Sequence, residues 1–556
     1  MKDLELKTLI SNTSRFVMLQ QEEQNRTNID EEIIETALDR ALQSFNDVDD
    51  DILEYVKGKI RSKFIVSFAS ESVILSDSSI PPWIDNKRGS MEWHYWDAYK
   101  EFLLEEEERS PKLINDNSII IDRILDMTGD PTLEGSWSRR GLVMGNVQSG
   151  KTQNFIGLLN KAADVGYKII IILGGHQNEL RKQTQIRLDQ GLMGLESSHI
   201  GNNIGRRNKI GVGKYRARNK IIHSFTSSLE DFSKRAAEAN NYQLADAEGA
   251  PIIFCVKKNA TILKSLFQWL TQDQGLTEGN KHDAPLLFID DEADYASINS
   301  KAGSKEITRI NSQIRSILTL FTKSTYIGYT ATPFANIFIN PEEGKGKIGE
   351  SIGGDEESAV LEEDLFPKNF LIKIPTPSEY CGQDYFFPEN PDWEALESPV
   401  KIIKDPDQER MLKLYGHKKT DVIGDRSDKL EEAIRCFILN IAIKKIRIDK
   451  KTCEEKHDTF LLNMTHLNAL QIQIKDAVEA YLESCKKQIS AFSRLPEEKW
   501  DKESLMVEIK NTFENEFAIE ETWEEIIQEL NWAVQKIKVF IVNSAKPRVI
   551  DGIPED

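Results

Sequence analysis

The chain has 556 residues, 39% hydrophobic and 29% charged, with a formal net charge of −20. That length accommodates about two to four domains. So negative a balance argues against a protein that coats nucleic acid nonspecifically, yet leaves room for a local basic groove, because charge acts over only about 8–10 Å in ordinary salt. No apolar run is long enough to cross a bilayer, and the start, MKDLELKTLI, lacks the basic end and apolar core of a secretory signal. A cytoplasmic location is the expectation. The five cysteines include no CxxC pair and the eight histidines no HExxH. Buried thiols and ordinary histidines are therefore expected, not a disulfide framework or a zinc site.

Residues 1–125 read as a helical N-terminal domain. EEIIETALDRALQSF and DDILEYVKGKI place apolar residues three and four apart. MEWHYWDAYKEFLLEEEER is a third amphipathic stretch, in which Trp93, Tyr95 and Trp96 are expected in the core. Pro81-Pro82 marks a break between helices. Over 126–340 short apolar runs alternate with helical patterns: GLVMG, YKIIIILGG, PIIFCV, APLLFID and STYIGYT. Continuous apolar runs suit strands buried on both faces of a parallel sheet, and the alternation predicts an α/β layered domain. Residues 341–429 read as a linker or insertion, Gly- and Glu-rich at first, then with short proline-punctuated strands in DLFPKNFLIKIPTPSEYCGQDYFF. From 430 to 556 helix-like and strand-like runs return, with TFLLNM and IKVFIVNS as strand candidates.

The strongest motif is Gly145-Asn146-Val147-Gln148-Ser149-Gly150-Lys151-Thr152, a full GxxxxGK[ST] pattern. Glycines let the backbone wrap a phosphate, and successive N–H groups and a helix N-terminus face the anion. Lys151 would reach the β- and γ-phosphates, and the Thr152 hydroxyl would bind Mg²⁺. A strand candidate precedes the loop and a helix candidate follows it, which the motif requires; the alternative is a structural glycine turn. Downstream, LLFID leads into Asp291-Glu292-Ala293-Asp294, an apolar strand ending in acids. Asp291 would hold the Mg²⁺ shell and Glu292 would orient or deprotonate the attacking water; the alternative is a charged loop after a strand. Thr330 and Thr332 in YTATP could couple the site to a neighbouring domain, or Thr332 could simply cap a helix.

Two segments are nucleic-acid candidates. GGHQNELRKQTQIRLDQ offers Arg181 and Gln183 to a phosphodiester backbone, or is a solvated helix. IGRRNKIGVGKYRARNK gathers Arg206, Arg207, Lys209, Lys214, Arg216, Arg218 and Lys220 with no acid between them, as a phosphate-binding stretch or an exposed loop without a ligand.

The order of P-loop, Gln-containing segment, DEAD box and TATP resembles the first motor domain of superfamily-two helicases and translocases. The blocks around VQSGKT, FCVKKN, IDDEADYASIN, YIGYTATPFANIFI and DLFPKNFLIKIPTPSEY narrow this to a resemblance to the Z-one domain family, over about residues 90–480. The resemblance implies a RecA-like P-loop motor domain after the helical N-terminal domain, then the start of a second RecA-like domain over 430–556. It implies ATP and Mg²⁺ as cofactors, DNA as a partner, and a bacterial anti-phage or restriction setting beside MutL- or MORC-like ATPases, methyltransferases and nucleases. Lys151, Thr152, Asp291, Glu292, Thr330, Thr332 and Gln183 carry over. Family members continue into a GGN…RG[LT]T-like block, and this sequence ends at Asp556 without one, so no arginine finger is assigned. The expectation is a truncated chain that binds ATP and hydrolyses it poorly. An ATP-dependent DNA translocase or helicase-like component is the leading function. An endonuclease with its own cleavage site and an ATP-gated scaffold recruiting partner nucleases are the alternatives, though no PD…(D/E)xK or HNH arrangement is found outside the DEAD box.

Overall fold

The computed structural model describes residues 3–542 apart from short stretches, the longest of which are 66–72, 199–207, 298–308, 338–345, 348–359 and 389–397. The chain divides into two compact units, Met1–Tyr380 and Cys381–Asp556.

The first unit opens with three helices, α1 (Asp3–Gln24), α2 (Glu31–Leu42) and α3 (Asp50–Ile65). Their apolar stripes meet in a small core that includes Leu9, Val17, Ile34, Leu38, Val56 and Ile60. After the Pro81-Pro82 break come α4 (Ile84–Arg88), α5 (His94–Glu105) and α6 (Pro111–Met127). Tyr95 and Trp96 are buried, as the sequence leads one to expect.

Asp164 caps α5 from outside it, accepting from the backbone N–H of Tyr95 at 3.0 Å and of Trp96 at 2.9 Å. Burial pushes its carboxyl up to about 6 from an ordinary 3.8, and those two bonds oppose the shift. Between these two values the folded chain holds a proton that the unfolded chain has released. The contribution of this group to stability is thus complete below pH 3.8 and is lost as pH rises through about 6. Asp164→Asn is expected to remove up to one proton from the pH dependence of unfolding in that window, about 1.4 kcal/mol per pH unit. Urea titrations at pH 4.5 and 7.5 would check this; an unchanged difference between them would rule it out.

Every strand expected between 126 and 340 is present: β2 (Trp137–Met144), β3 (Ile169–Leu173), β5 (Ile252–Val256), β6 (Leu286–Asp291) and β7 (Lys323–Thr330), with a short β4 (His223–Ser224). They join β1 (Val73–Ser76) and β10 (Phe370–Lys373) in one sheet of order β1-β10-β2-β7-β6-β3-β5-β4. All neighbours are parallel except β1, which runs antiparallel to β10. A separate ribbon pairs β8 (Gly346–Lys347) with β9 (Val360–Leu361).

The IIIIL run of β3 feeds both faces at a period of two. Ile170 and Ile172 pack with α5, α6 and α7 (Lys151–Val165) on one side. After β3 the chain continues into α8 (Asn178–Leu188). Ile169, Ile171 and Leu173 pack with α9 (Ala260–Gln268) and α10 (Arg309–Thr319) on the other side. The α/β class and the largely parallel sheet are as expected. The sheet draws on more of the chain than 126–340: β1 comes from the stretch read as helical, and β10 from the stretch read as a linker. Gly141 in β2 permits the second of these, because a Cβ there would sit 2.0 Å from the Phe370 ring.

In the second unit α11 (Asp428–Asp449), α12 (Asn468–Phe492), α13 (Leu505–Glu516) and α14 (Trp523–Lys536) surround an apolar core of their own, with Ile434, Ile438, Leu482, Ile509, Ile526 and Leu530 inside. Ser427 caps α11, and a Thr522–Glu525 capping box starts α14. The two strand candidates here form no strand among the described residues. Leu461 in TFLLNM is 84% exposed and Val542 in IKVFIVNS 77% exposed. The expected buried strand at IKVFIVNS is therefore corrected for 537–542: its residues alternate between half-buried and exposed and have no strand partner among the described residues. No described helix is long and apolar enough to cross a membrane.

Candidate nucleotide-binding site

Strand register sets the site. Met144 of β2 lies opposite Thr330 of β7, Tyr329 of β7 opposite Asp291 of β6, and Asp290 of β6 opposite Leu173 of β3. The ends of these strands thus form one level edge, where open α/β sheets present their ligand crevices. The P-loop, the DEAD acids and the TATP hydroxyls all emerge there.

Residues 145–150 turn from β2 into α7. Gly150 makes the turn at φ 96°, a left-handed conformation suited to glycine. The Lys151 side chain is folded under the loop, its ammonium donating to the carbonyls of Gly145 at 3.1 Å and Asn146 at 3.0 Å. The Ser149 hydroxyl donates to the Asn146 carbonyl at 2.8 Å. Val147 is exposed, and its carbonyl accepts from the Tyr380 hydroxyl at 2.7 Å. Gln148 lies outside the described residues. The Thr152 hydroxyl accepts from Arg187 of α8 at 3.1 Å. Arg187 lies in the GGHQNELRKQTQIRLDQ segment, one helical turn beyond Gln183; its contact with the P-loop threonine is what that segment does not reveal.

At the end of β6, Asp290 is buried, accepting from the Tyr326 hydroxyl at 2.6 Å and paired with Lys258 at 2.8 Å. Asp291 follows, and burial first, then the neighbouring Glu292 carboxylate, push its carboxyl up to about 6. Glu292 is exposed and sits at φ 53°, one of two non-glycine residues at positive φ among those described. Such a conformation costs about 1 kcal/mol or more and is often retained where function needs it. Lys258 holds the turn, donating to the carbonyls of Glu292 at 2.5 Å and Tyr295 at 3.1 Å. In the sequence this lysine stands out only as part of the FCVKKN block. Its signal is a lysine just past the end of a buried strand, at the edge where ligands sit.

Asp294 closes the arrangement. It accepts from the Thr330 hydroxyl at 2.8 Å and the Thr332 hydroxyl at 2.6 Å. The DEAD turn and the TATP segment are thereby tied together, and the Thr332 hydroxyl is committed to that contact. A second tie runs from Tyr329, whose hydroxyl donates to Asn154 of α7 at 2.9 Å. These bonds link the DEAD turn to β7, and β7 to the P-loop helix.

The nucleic-acid candidates fare differently. Gln183 is exposed on α8. Arg181 on the same helix is buried, donating to the carbonyls of Ser227 at 2.8 Å and Ser228 at 3.4 Å. Arg216 is also buried, its guanidinium 4.6 Å from the centre of the Tyr95 ring, and burial pushes its pKa down to about 10. Both arginines hold internal structure, which corrects the expectation that they face a phosphodiester. Lys214 is exposed and paired with Glu106 at 2.9 Å. Arg206, Arg207 and Arg218 lie outside the described residues.

Residues 429–552 match the family model described as the Z1 (Z-one) domain. The match spans the helices α11–α14 and the segment after them. It overlaps the span of about 90–480 that carried the sequence resemblance only at that span's C-terminal end, and it includes none of the blocks quoted for it, neither the P-loop nor the DEAD turn among them. No curated protein matches the chain.

Proposed function

We propose that this chain is a P-loop ATPase with a RecA-like first motor domain, a helicase-like component that couples MgATP to action on DNA. One observation carries the reading. Lys151 and Thr152, Asp291 and Glu292, and Thr330 and Thr332 leave neighbouring strands at a single sheet edge, joined by hydrogen bonds through Asp294 and Asn154. A cradle for phosphate, acids for Mg²⁺ and water, and a relay into the next segment are the parts that phosphoryl transfer requires. Lys151 would meet the β- and γ-phosphates, Thr152 and Asp291 would hold Mg²⁺, and Glu292 would align the attacking water. Bound Mg²⁺ would supply charge neutralisation at the phosphates. The anti-phage setting and defence partners that the sequence resemblance implies belong to this proposal and rest on that resemblance.

Glu292→Gln is expected to keep MgATP affinity within about 3-fold and to lower single-turnover hydrolysis by about 10²–10⁴-fold, the share a positioned general base contributes. Fluorescent ATP-analogue titration and a phosphate-release assay with and without DNA would measure both. Hydrolysis at the parent rate in this variant would remove Glu292 from the mechanism, and failure of the parent chain to bind MgATP would end the ATPase reading.

A further inference from the structure

We propose that a cleft in the second unit is a stacking site for one nucleobase of a single-stranded nucleic acid. It rests on the DNA half of the reading above and is independent of ATP hydrolysis. The cleft lies between the end of α12 and one face of α14 and encloses 570 Å³. That falls in the ~300–1,000 Å³ range of small-ligand clefts, suited to one nucleotide unit and not to a duplex.

Trp532 on α14 lines it, 38% exposed. The ammonium groups of Lys445, from α11, and Lys536, from the last turn of α14, each lie 5.6 Å from the centre of its ring. Lys445 also pairs with Asp449. Arg494 lines the cleft from just beyond α12.

Arg426, Lys444, Arg447, Lys450 and Lys486 each have a carboxylate partner. Arg494 and Lys536 have none among the described residues, and the lining contains no acid. The helix dipole accounts for a cation in the last turn of α14. It does not account for a partly exposed indole with one lysine ammonium from α11 and another from α14 over its ring.

A partly exposed indole takes a base by stacking, and cations beside it take the phosphates on either side. The lining amides Gln528, Asn531 and Gln535 add donors and acceptors that a base edge can use. Asn531 is oriented by the Ser490 hydroxyl, which donates to its Oδ1 at 2.7 Å. An acidic peptide would use the cations and leave the ring and amides idle, so the single strand fits better.

The test is fluorescence anisotropy of a labelled oligothymidylate of about 20 nucleotides with the full chain. Trp532→Ala is expected to weaken binding about 5- to 100-fold, and Trp532→Phe to stay within about 3-fold of the parent. The Arg494→Ala/Lys536→Ala double variant is expected to reduce the slope of log affinity against log salt by about 1.4, near 0.7 for each phosphate of a single strand that is no longer neutralised. Helical circular dichroism and a thermal unfolding profile like the parent's in each variant would show that the second unit is intact. If the parent binds the oligonucleotide and Trp532→Ala binds it equally well, the stacking site falls while the DNA reading stands. If the parent binds no oligonucleotide, both fall, and ATP binding is judged separately. Competition by thymidine monophosphate at equal nucleotide concentration would overturn the single strand in favour of a mononucleotide. Equal competition by polyglutamate would overturn it in favour of an acidic peptide.

Discussion

Replacing Lys151 by alanine is expected to lower affinity for MgATP by about 10²–10⁴-fold. The ammonium is buried beneath the loop and bonded to two backbone carbonyls, so its stem and direction are fixed before any ligand arrives. Moving from those carbonyls to phosphate oxygens exchanges neutral acceptors for charged ones. Hydrogen bonds between charged partners contribute about 1.5–3 kcal/mol each. Two of them, to β- and γ-phosphates, give about 3–6 kcal/mol, and the expected loss is the corresponding factor. Titration of a fluorescent ATP analogue in the presence of Mg²⁺ would measure it. An affinity within about 3-fold of the parent would show that the loop does not hold a triphosphate. Thermal unfolding without nucleotide guards against a trivial cause, because loss of the two carbonyl bonds alone is worth only about 1–3 kcal/mol.

The Lys258→Met substitution is expected to destabilise the first unit by about 3–5 kcal/mol. Both Lys258 and Asp290 have fully buried side chains. Removing one partner of a buried ion pair leaves an uncompensated charge, which costs more than the pair contributed. The same ammonium also holds the Glu292 and Tyr295 carbonyls, so the DEAD turn would lose its clamp at once. Glu292, at φ 53°, would then relax towards ordinary backbone angles. Urea unfolding followed by circular dichroism would measure the loss. Adding Asp290→Asn should recover part of it by removing the stranded carboxylate, and hydrolysis should stay impaired because the clamp is still missing. A loss below about 1 kcal/mol in Lys258→Met would show that the pair is solvated and that the clamp argument fails.

The roles of Arg181 and Arg216 are not legible in the sequence. A basic residue looks the same in sequence whether it faces solvent or folds inward, in an acid-free run as for Arg216 or in a mixed helix as for Arg181. Arg216 is drawn inward by the Tyr95 ring and Arg181 by the Ser227 and Ser228 carbonyls, partners distant in the chain. Asp294 illustrates the same limit from the other side. Its acidity is legible, whereas its two threonine partners are 36 and 38 residues away and depend on β6 and β7 being neighbours.

What the sequence by itself determined is local. The GxxxxGK[ST] spacing dictates a loop between strand and helix, because glycine conformations and a following amphipathic run need nothing from elsewhere. The five apolar runs from 137 to 330 were legible as strands because burial on both faces leaves no polar positions. The helices α11 and α12 were legible because a helix satisfies its own backbone hydrogen bonds.

Tertiary structure decided whatever needs a partner. A strand exists only through its neighbour's N–H and C=O groups. VILS and FLIK therefore became β1 and β10 of the main sheet, while TFLLNM and the 537–542 part of IKVFIVNS, as apolar as either, have no strand partner among the described residues. The lysine at position 258 acquired its role in the same way. Only the packing of β5, β3 and β6 side by side brings its ammonium to Asp290 and the Glu292 turn, a geometry fixed by strand order and not by any spacing in the chain.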